Sequence, residues 1–170
     1  MVEWLKDANA EDKLLAKNDK TEGATGEGKI SLGPLEQRLG YALRRAQLAV
    51  FNDFFEAFAQ SEIRPAQYSV LTIIEANPGL PQGRVAEVLG IQKTNFVGII
   101  SALEDRGFVR REASKQDRRT YGLYLTAAGA RLMKKLHQTA EEHERHIADR
   151  LGDAEYRRLF EPLRKLADEL

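Results

Sequence analysis

Between residues 106 and 119 six cations, Arg106, Arg110, Arg111, Lys115, Arg118 and Arg119, stand against two carboxylates, Glu112 and Asp117. The chain as a whole carries 26 basic and 26 acidic residues, a formal net charge of +0. The surplus is therefore local, and a local surplus gives a polarised field that attracts an anionic partner. Arg44 is a second candidate. It falls in register with the apolar residues Leu48, Phe51 and Phe55, and a guanidinium on an apolar stripe needs an anionic or hydrogen-bonding partner. That partner is either an internal carboxylate or water at the stripe's edge, or else an anionic group of a bound ligand. His143 and His146 share a helical face at a spacing that can bind zinc, yet they sit among Glu141, Glu142 and Glu144 in a stretch as polar as a solvated face. A complete metal site needs further ligands, and none is assigned. Gly23, Gly28 and Lys29 fit the start of a phosphate-binding loop. Such a loop must follow a buried strand. Here polar, helix-prone residues precede it, and Ile30 stands where a magnesium-binding hydroxyl belongs. No nucleophile–base constellation occurs, so no catalytic residue is assigned and the chain reads as a non-enzyme. With no cysteine at all, thiolate metal sites, disulfides and thiol redox sensing are excluded.

The elements that must position these groups follow from periodicity. The 170 residues, 42% of them hydrophobic, suffice for one core with a helical annex. Residues 1–33 are polar and glycine-rich toward their end, and read as a flexible arm; Trp4, Leu5, Leu14 and Leu15 could dock a short helix. Pro34 opens a predicted helix over 34–60 with two apolar stripes, one through Leu39, Leu43 and Phe54, the other through Leu48, Phe51 and Phe55. Two stripes suit a helix packed against two bodies. A helix after Arg64 and Pro65 carries Tyr68, Val70, Leu71 and Ile74, and is broken at Asn77, Pro78 and Gly79. Pro81 opens a short helix bearing Val85, Ala86, Val88 and Leu89. Gly90 follows, then a helix over about 92–106 whose predicted apolar face is Phe96, Val97, Ile99, Ile100 and Leu103. Two short helices joined at a glycine form a helix-turn-helix pattern. Residues 108–112 and 119–125 read as strands of a hairpin, a wing, with Tyr121, Leu123 and Leu125 on one face. Thr126 caps a long helix over 127–150, Gly152 breaks it, and residues 154–170 form a last helix that Pro162 should kink or split. No apolar run approaches the roughly 20 residues that span a bilayer. No membrane partner is expected, and a cytoplasmic location is.

This order and its signatures resemble the MarR family of winged-helix regulators. The residues that carry the resemblance are Val85 to Ile91 (VAEVLGI), Ala102 to Arg110 (ALEDRGFVR), the pair Asp117 and Arg119 in a D-x-R pattern, and Leu125, Thr126 and Gly129 in an L-T-x-x-G pattern. The resemblance covers about residues 35–170. It implies a mainly α fold with a small β-hairpin wing, in which residues 63–126 form a winged helix-turn-helix that binds DNA. Residues 34–62 and 127–170 would form a helical dimerisation module. It further implies a homodimer on double-stranded DNA and no cofactor. Gln92, Lys93, Thr94 and Asn95 would open the recognition helix and face base edges, where Gln and Asn can pair with adenine. Arg118 or Arg119 would enter the minor groove, with Asp117 orienting Arg119, while Lys115 and Arg84 would contact phosphates.

The stretch Leu39 to Gln47 is similar to MarR regulators of aromatic-acid catabolism, including hydroxycinnamates. The reading is then a repressor released from a pseudo-palindromic operator by a small aromatic carboxylate or its acyl-CoA thioester. Arg44, Phe51, Phe55 and Tyr68 are the candidate ligand contacts. Two alternatives remain: a winged-helix module that binds protein, and a metal-responsive regulator.

Overall fold

The computed structural model describes residues 30–113 and 121–169. The phosphate-loop-like segment Gly23 to Lys29 and most of the proposed arm lie outside the described residues. So do Lys115, Asp117, Arg118 and Arg119. The chain divides into a smaller unit that ends at Asn52 and a larger one that begins at Asp53.

The expected single helix over 34–60 is three pieces. Pro34 sits in the first turn of a 3-10 helix, Gly33–Gln37, which ends where Arg38 turns extended at φ −99° and ψ 122°. Helix α1 begins at Leu39 and runs to Ala57. A second 3-10 turn, Ala59–Ser61, is closed by Glu62 in the left-handed region at φ 52°. Apolar periodicity continues through these breaks, so periodicity alone could not reveal them.

In the larger unit, α2 (Pro65–Ala76) starts with Pro65 in its first turn, and Gln67 Oε1 accepts from the Arg64 amide at 3.1 Å. α3 (Gln82–Val88) and α4 (Lys93–Asp105) are the helix-turn-helix pair, joined through Gly90 at φ 63°. β1 (Val109–Ala113) and β2 (Tyr121–Leu125) pair antiparallel, with Val109 opposite Leu125 and Arg111 opposite Leu123. The segment before α3 adds to this sheet: Gly79 N donates to Leu123 O at 2.8 Å and Leu123 N donates to Leu80 O at 3.1 Å. The breaker Asn77, Pro78 and Gly79 therefore ends α2 and begins a short third sheet segment. Gly122 is required there, because a Cβ on it would lie 2.7 Å from Gly79 O. Val70, Leu71, Ile74, Val85, Phe96, Ile100, Leu103, Leu123, Met133 and Leu136 are fully buried together, which welds α2 to α4, the sheet and the next helix into one core.

α5 (Ala127–Leu151) is capped by Thr126, whose Oγ1 accepts from Gly129 N at 3.0 Å and donates to Gly107 O at 2.6 Å. One hydroxyl thus ties the start of α5 to the glycine turn that ends α4. Thr126→Ala should cost about 1–2 kcal/mol, while Thr126→Ser should retain most of that. Urea midpoints of the two variants check this; equal losses would assign the effect to the lost methyl.

Gly152, at φ 88°, separates α5 from α6 (Asp153–Glu169). The Tyr156 hydroxyl donates to the Glu144 carboxylate across this joint. That bond, aided by partial burial, raises the tyrosine pKa to about 12. Of the two outcomes expected at Pro162, a kink or a split, the split does not occur, and α6 runs through it unbroken. The helix is exposed around it, so water can satisfy the carbonyl that the missing N–H leaves open.

Candidate nucleic-acid interface

α4 presents two contrasting sides. Phe96, Ile100 and Leu103 are buried in the core, which turns Lys93 and Thr94 outward and leaves Asn95 half-buried; Gln92, at the N-cap, is exposed. The four polar residues expected at the helix start are thus together, with three of them in solvent. Val97 does not join the apolar face. It is 45% exposed, on the side of Lys93 and Thr94. Val88 lies in α3, where its spacing puts it, and is 60% exposed. The two exposures share one cause: a short helix touches the core along one narrow strip, and these valines lie beside it. Gly98 also faces outward, with nothing within 4 Å of where its Cβ would be. A glycine inside a helix costs roughly 1 kcal/mol relative to alanine.

The cationic cluster is smaller than its composition implies. The Arg106 guanidinium donates to Ser61 O at 2.7 Å and Glu62 O at 2.9 Å, and lies 5.0 Å over the Phe108 ring. It serves the exposed carbonyls of the turn before α2. Arg111 pairs with Glu104 at 2.8 Å. Arg110 pairs with Glu112 and lies 4.9 Å over the Tyr124 ring. The three arginines nearest the helix-turn-helix are therefore engaged within the fold. Arg84 is exposed on α3 and bridged to Glu87 at 2.6 Å.

The proposed ligand contacts fall in both units. In the smaller one, Arg44 is exposed and Phe51 half-buried; in the larger one, Phe55 and Tyr68 are half-buried. Tyr68 belongs to an aromatic group with Phe54 and Phe58, which stack at 3.8 Å, and with His137. Its hydroxyl lies 3.5 Å from His137 Nδ1, and His137 Nε2 lies 2.6 Å from Glu75 Oε2. Burial, then the carboxylates of Glu75, Glu144 and Glu141, push the Tyr68 pKa up against an opposing hydrogen bond to Thr72. Tyr68 therefore stays protonated at neutral pH and is available as a donor. The pairing of Glu75 with His137 escaped the sequence reading because 62 residues separate them.

His143 and His146 do not lie on a solvated face together. His143 is 6% exposed, and its Nε2 lies 3.4 Å from Asp53 Oδ2. His146 Nδ1 lies 2.9 Å from Asp53 Oδ1, and Arg150 Nε donates to His146 Nε2 at 3.1 Å. Asp53, near the end of α1, meets both rings, but only His143 is buried and His146 stays exposed.

The family model described as "MarR family" matches residues 63–121. The "Putative transcriptional regulatory protein for hcr operon" of Thauera aromatica is 32% identical over 135 residues, covering 79% of this chain and 81% of the relative. A solved structure of the "Transcriptional repressor, CouR, bound to a 23-mer DNA duplex" is 40% identical with a TM-score of 0.79, and covers 82% of this chain and 99% of its own. A second structure, the same repressor "bound to p-coumaroyl-CoA", is 38% identical with a TM-score of 0.78, and covers 84% of this chain and 100% of its own.

Proposed function

Because this chain belongs to the MarR family of DNA-binding transcription regulators, we propose that it is a dimeric repressor released from its operator by an aromatic acyl-CoA thioester of the hydroxycinnamate type. The observation that carries this reading is the similarity, over 82–84% of this chain, to a repressor whose structures hold a DNA duplex and p-coumaroyl-CoA. The free aromatic acid is the simpler form of the same ligand class.

The DNA would be held by Gln92, Lys93, Thr94 and Asn95 at the start of α4. Arg84 would contact phosphate, as would Lys115 between the strands. Arg118 and Arg119, with Asp117 beside them, would enter the minor groove. Arg44, Phe51, Phe55 and Tyr68 are the proposed effector contacts: aromatic rings suit the hydroxycinnamoyl group, and the guanidinium suits a carboxylate or a phosphate of CoA.

The partner subunit would be a second copy of this chain. On α6, Leu159, Phe160 and Leu163 are each more than 40% exposed, and together they form an apolar face on an otherwise charged helix. A two-fold dimer implies half-sites about one helical turn apart. No described helix is long and apolar enough to cross a membrane, and the site of action would be the cytoplasm, with the DNA.

Fluorescence anisotropy on the DNA upstream of the chain's own gene tests the proposal. Dimer binding should weaken steeply as salt rises, through counterion release. Micromolar p-coumaroyl-CoA should then release the duplex. Tight DNA binding that no hydroxycinnamate or CoA thioester disturbs would remove the effector and leave the regulator standing.

A further inference from the structure

We propose that Val97 reads the C5-methyl group of a thymine in each half-site, and that Gly98 lets the base edges come close enough for that contact. The inference rests on the DNA-binding reading above and names a specificity determinant within it. Val97 is 45% exposed, while its neighbours Phe96 and Ile100 on the same helix are 1% and 0% exposed. It lies three and four residues after Thr94 and Lys93, and so on their side of α4.

Among the described residues, Val97 is not part of the buried core. The position gains no core packing, and a β-branched side chain has a lower helix propensity than alanine. Gly98 adds a second cost with no internal return. Gly122 and Gly129 are explained by crowding, and Gly90 and Gly107 by positive φ, whereas Gly40 on α1 and Gly83 on α3 are as open as Gly98 but lie outside α4. Gly98 has neither a close neighbour nor a positive φ.

Both costs fall on the helix face that meets DNA, where each has a physical use. Among the base edges of the major groove, the thymine methyl is the apolar group, and a small apolar side chain is what recognises it. A residue without a side chain beside it lowers the helix surface toward that methyl. Lys93 and Thr94 then supply polar contacts to neighbouring positions while Val97 selects thymine.

The experiment uses the full chain and a duplex that it has itself selected from a random-sequence pool. Each thymine is replaced in turn by deoxyuridine, which removes only the methyl group. At one position per half-site the native chain should lose about tenfold in affinity. Val97→Ala should bind the thymine duplex about tenfold more weakly and lose nothing further with uracil at that position. Val97→Ala binding as tightly as the native chain, or responding to every uracil as the native chain does, overturns the proposal.

Gly98→Ala should melt at the same temperature or higher, yet bind the selected duplex at least tenfold more weakly. Unchanged affinity in that variant overturns the close approach. If the native chain selects no sequence, the DNA-binding reading itself fails. That outcome is distinct from a selected duplex that is indifferent to residue 97.

Discussion

Replacing Gly129 with valine should destabilise the fold by about 3 kcal/mol or more, through forced overpacking against backbone that cannot yield. A Cβ at this position would lie 2.1 Å from Phe108 O and 3.0 Å from its carbonyl carbon. Those atoms are held: Phe108 O accepts from Thr126 N at 2.9 Å, and Phe108 N donates to Leu103 O at 2.9 Å. Relief therefore requires α5 to lift away from the turn between α4 and β1. That movement would break the Thr126 cap and open the core around Met133 and Leu136, which are fully buried on the same helix. For a chain of this size each kcal/mol moves the melting midpoint by roughly 2–4 °C, so a fall of about 6–12 °C is expected. Calorimetry checks it, with Gly98→Ala as the control, where a Cβ meets nothing. A Gly129→Val midpoint within 2 °C of native would mean that α5 can slide on the turn at little cost. The glycine of the L-T-x-x-G pattern would then need another explanation.

Reversing charge at both Arg118 and Arg119 should lower operator affinity at least a hundredfold. Loss of an arginine contact to DNA costs about 1–3 kcal/mol, and replacing it with glutamate adds repulsion from the phosphates. The slope of log affinity against log salt should also become shallower by about 0.9 for each phosphate contact removed. The other arginines of the cluster are the internal comparison. Arg106 donates to Ser61 O and Glu62 O, and Arg111 pairs with Glu104. Arg106→Gln should therefore lower the melting midpoint while leaving the salt slope unchanged. Anisotropy across a salt series separates the two behaviours. Affinity within threefold of native after the double reversal would move the hairpin to a protein partner, the alternative that composition left open.

Much of the fold can be read from local patterns. Glycines at 90, 107 and 152 and the cap residue Thr126 mark element ends, because a positive φ or a cap hydroxyl acts within a few residues of its own position. Apolar spacing placed Phe96, Ile100 and Leu103 on one side of α4, and Lys93 and Thr94 on the other. The signature residues of the hairpin pointed to DNA before any coordinates. Their physical basis in Gly129 and Thr126 needed the structure, since Phe108 O and Gly107 O are about twenty residues away.

What tertiary structure alone decided are matters of distant pairing and of how wide a strip each helix buries. Val97 is apolar and periodic, yet exposed, because the core side of a 13-residue helix is already filled. Arg106 counted as a free cation in composition until carbonyls 44 and 45 residues earlier claimed it. Asp53 captures His143 and His146 from α5, and Glu75 holds His137. Outside the breaks at Arg38 and Phe58, sequence determined which segments are helical, where they stop and which family motif they carry, because those depend on neighbours within one or two turns. Which of the described charges are engaged within the fold, and which apolar side chains stay exposed, was set by packing between residues that no local spacing connects.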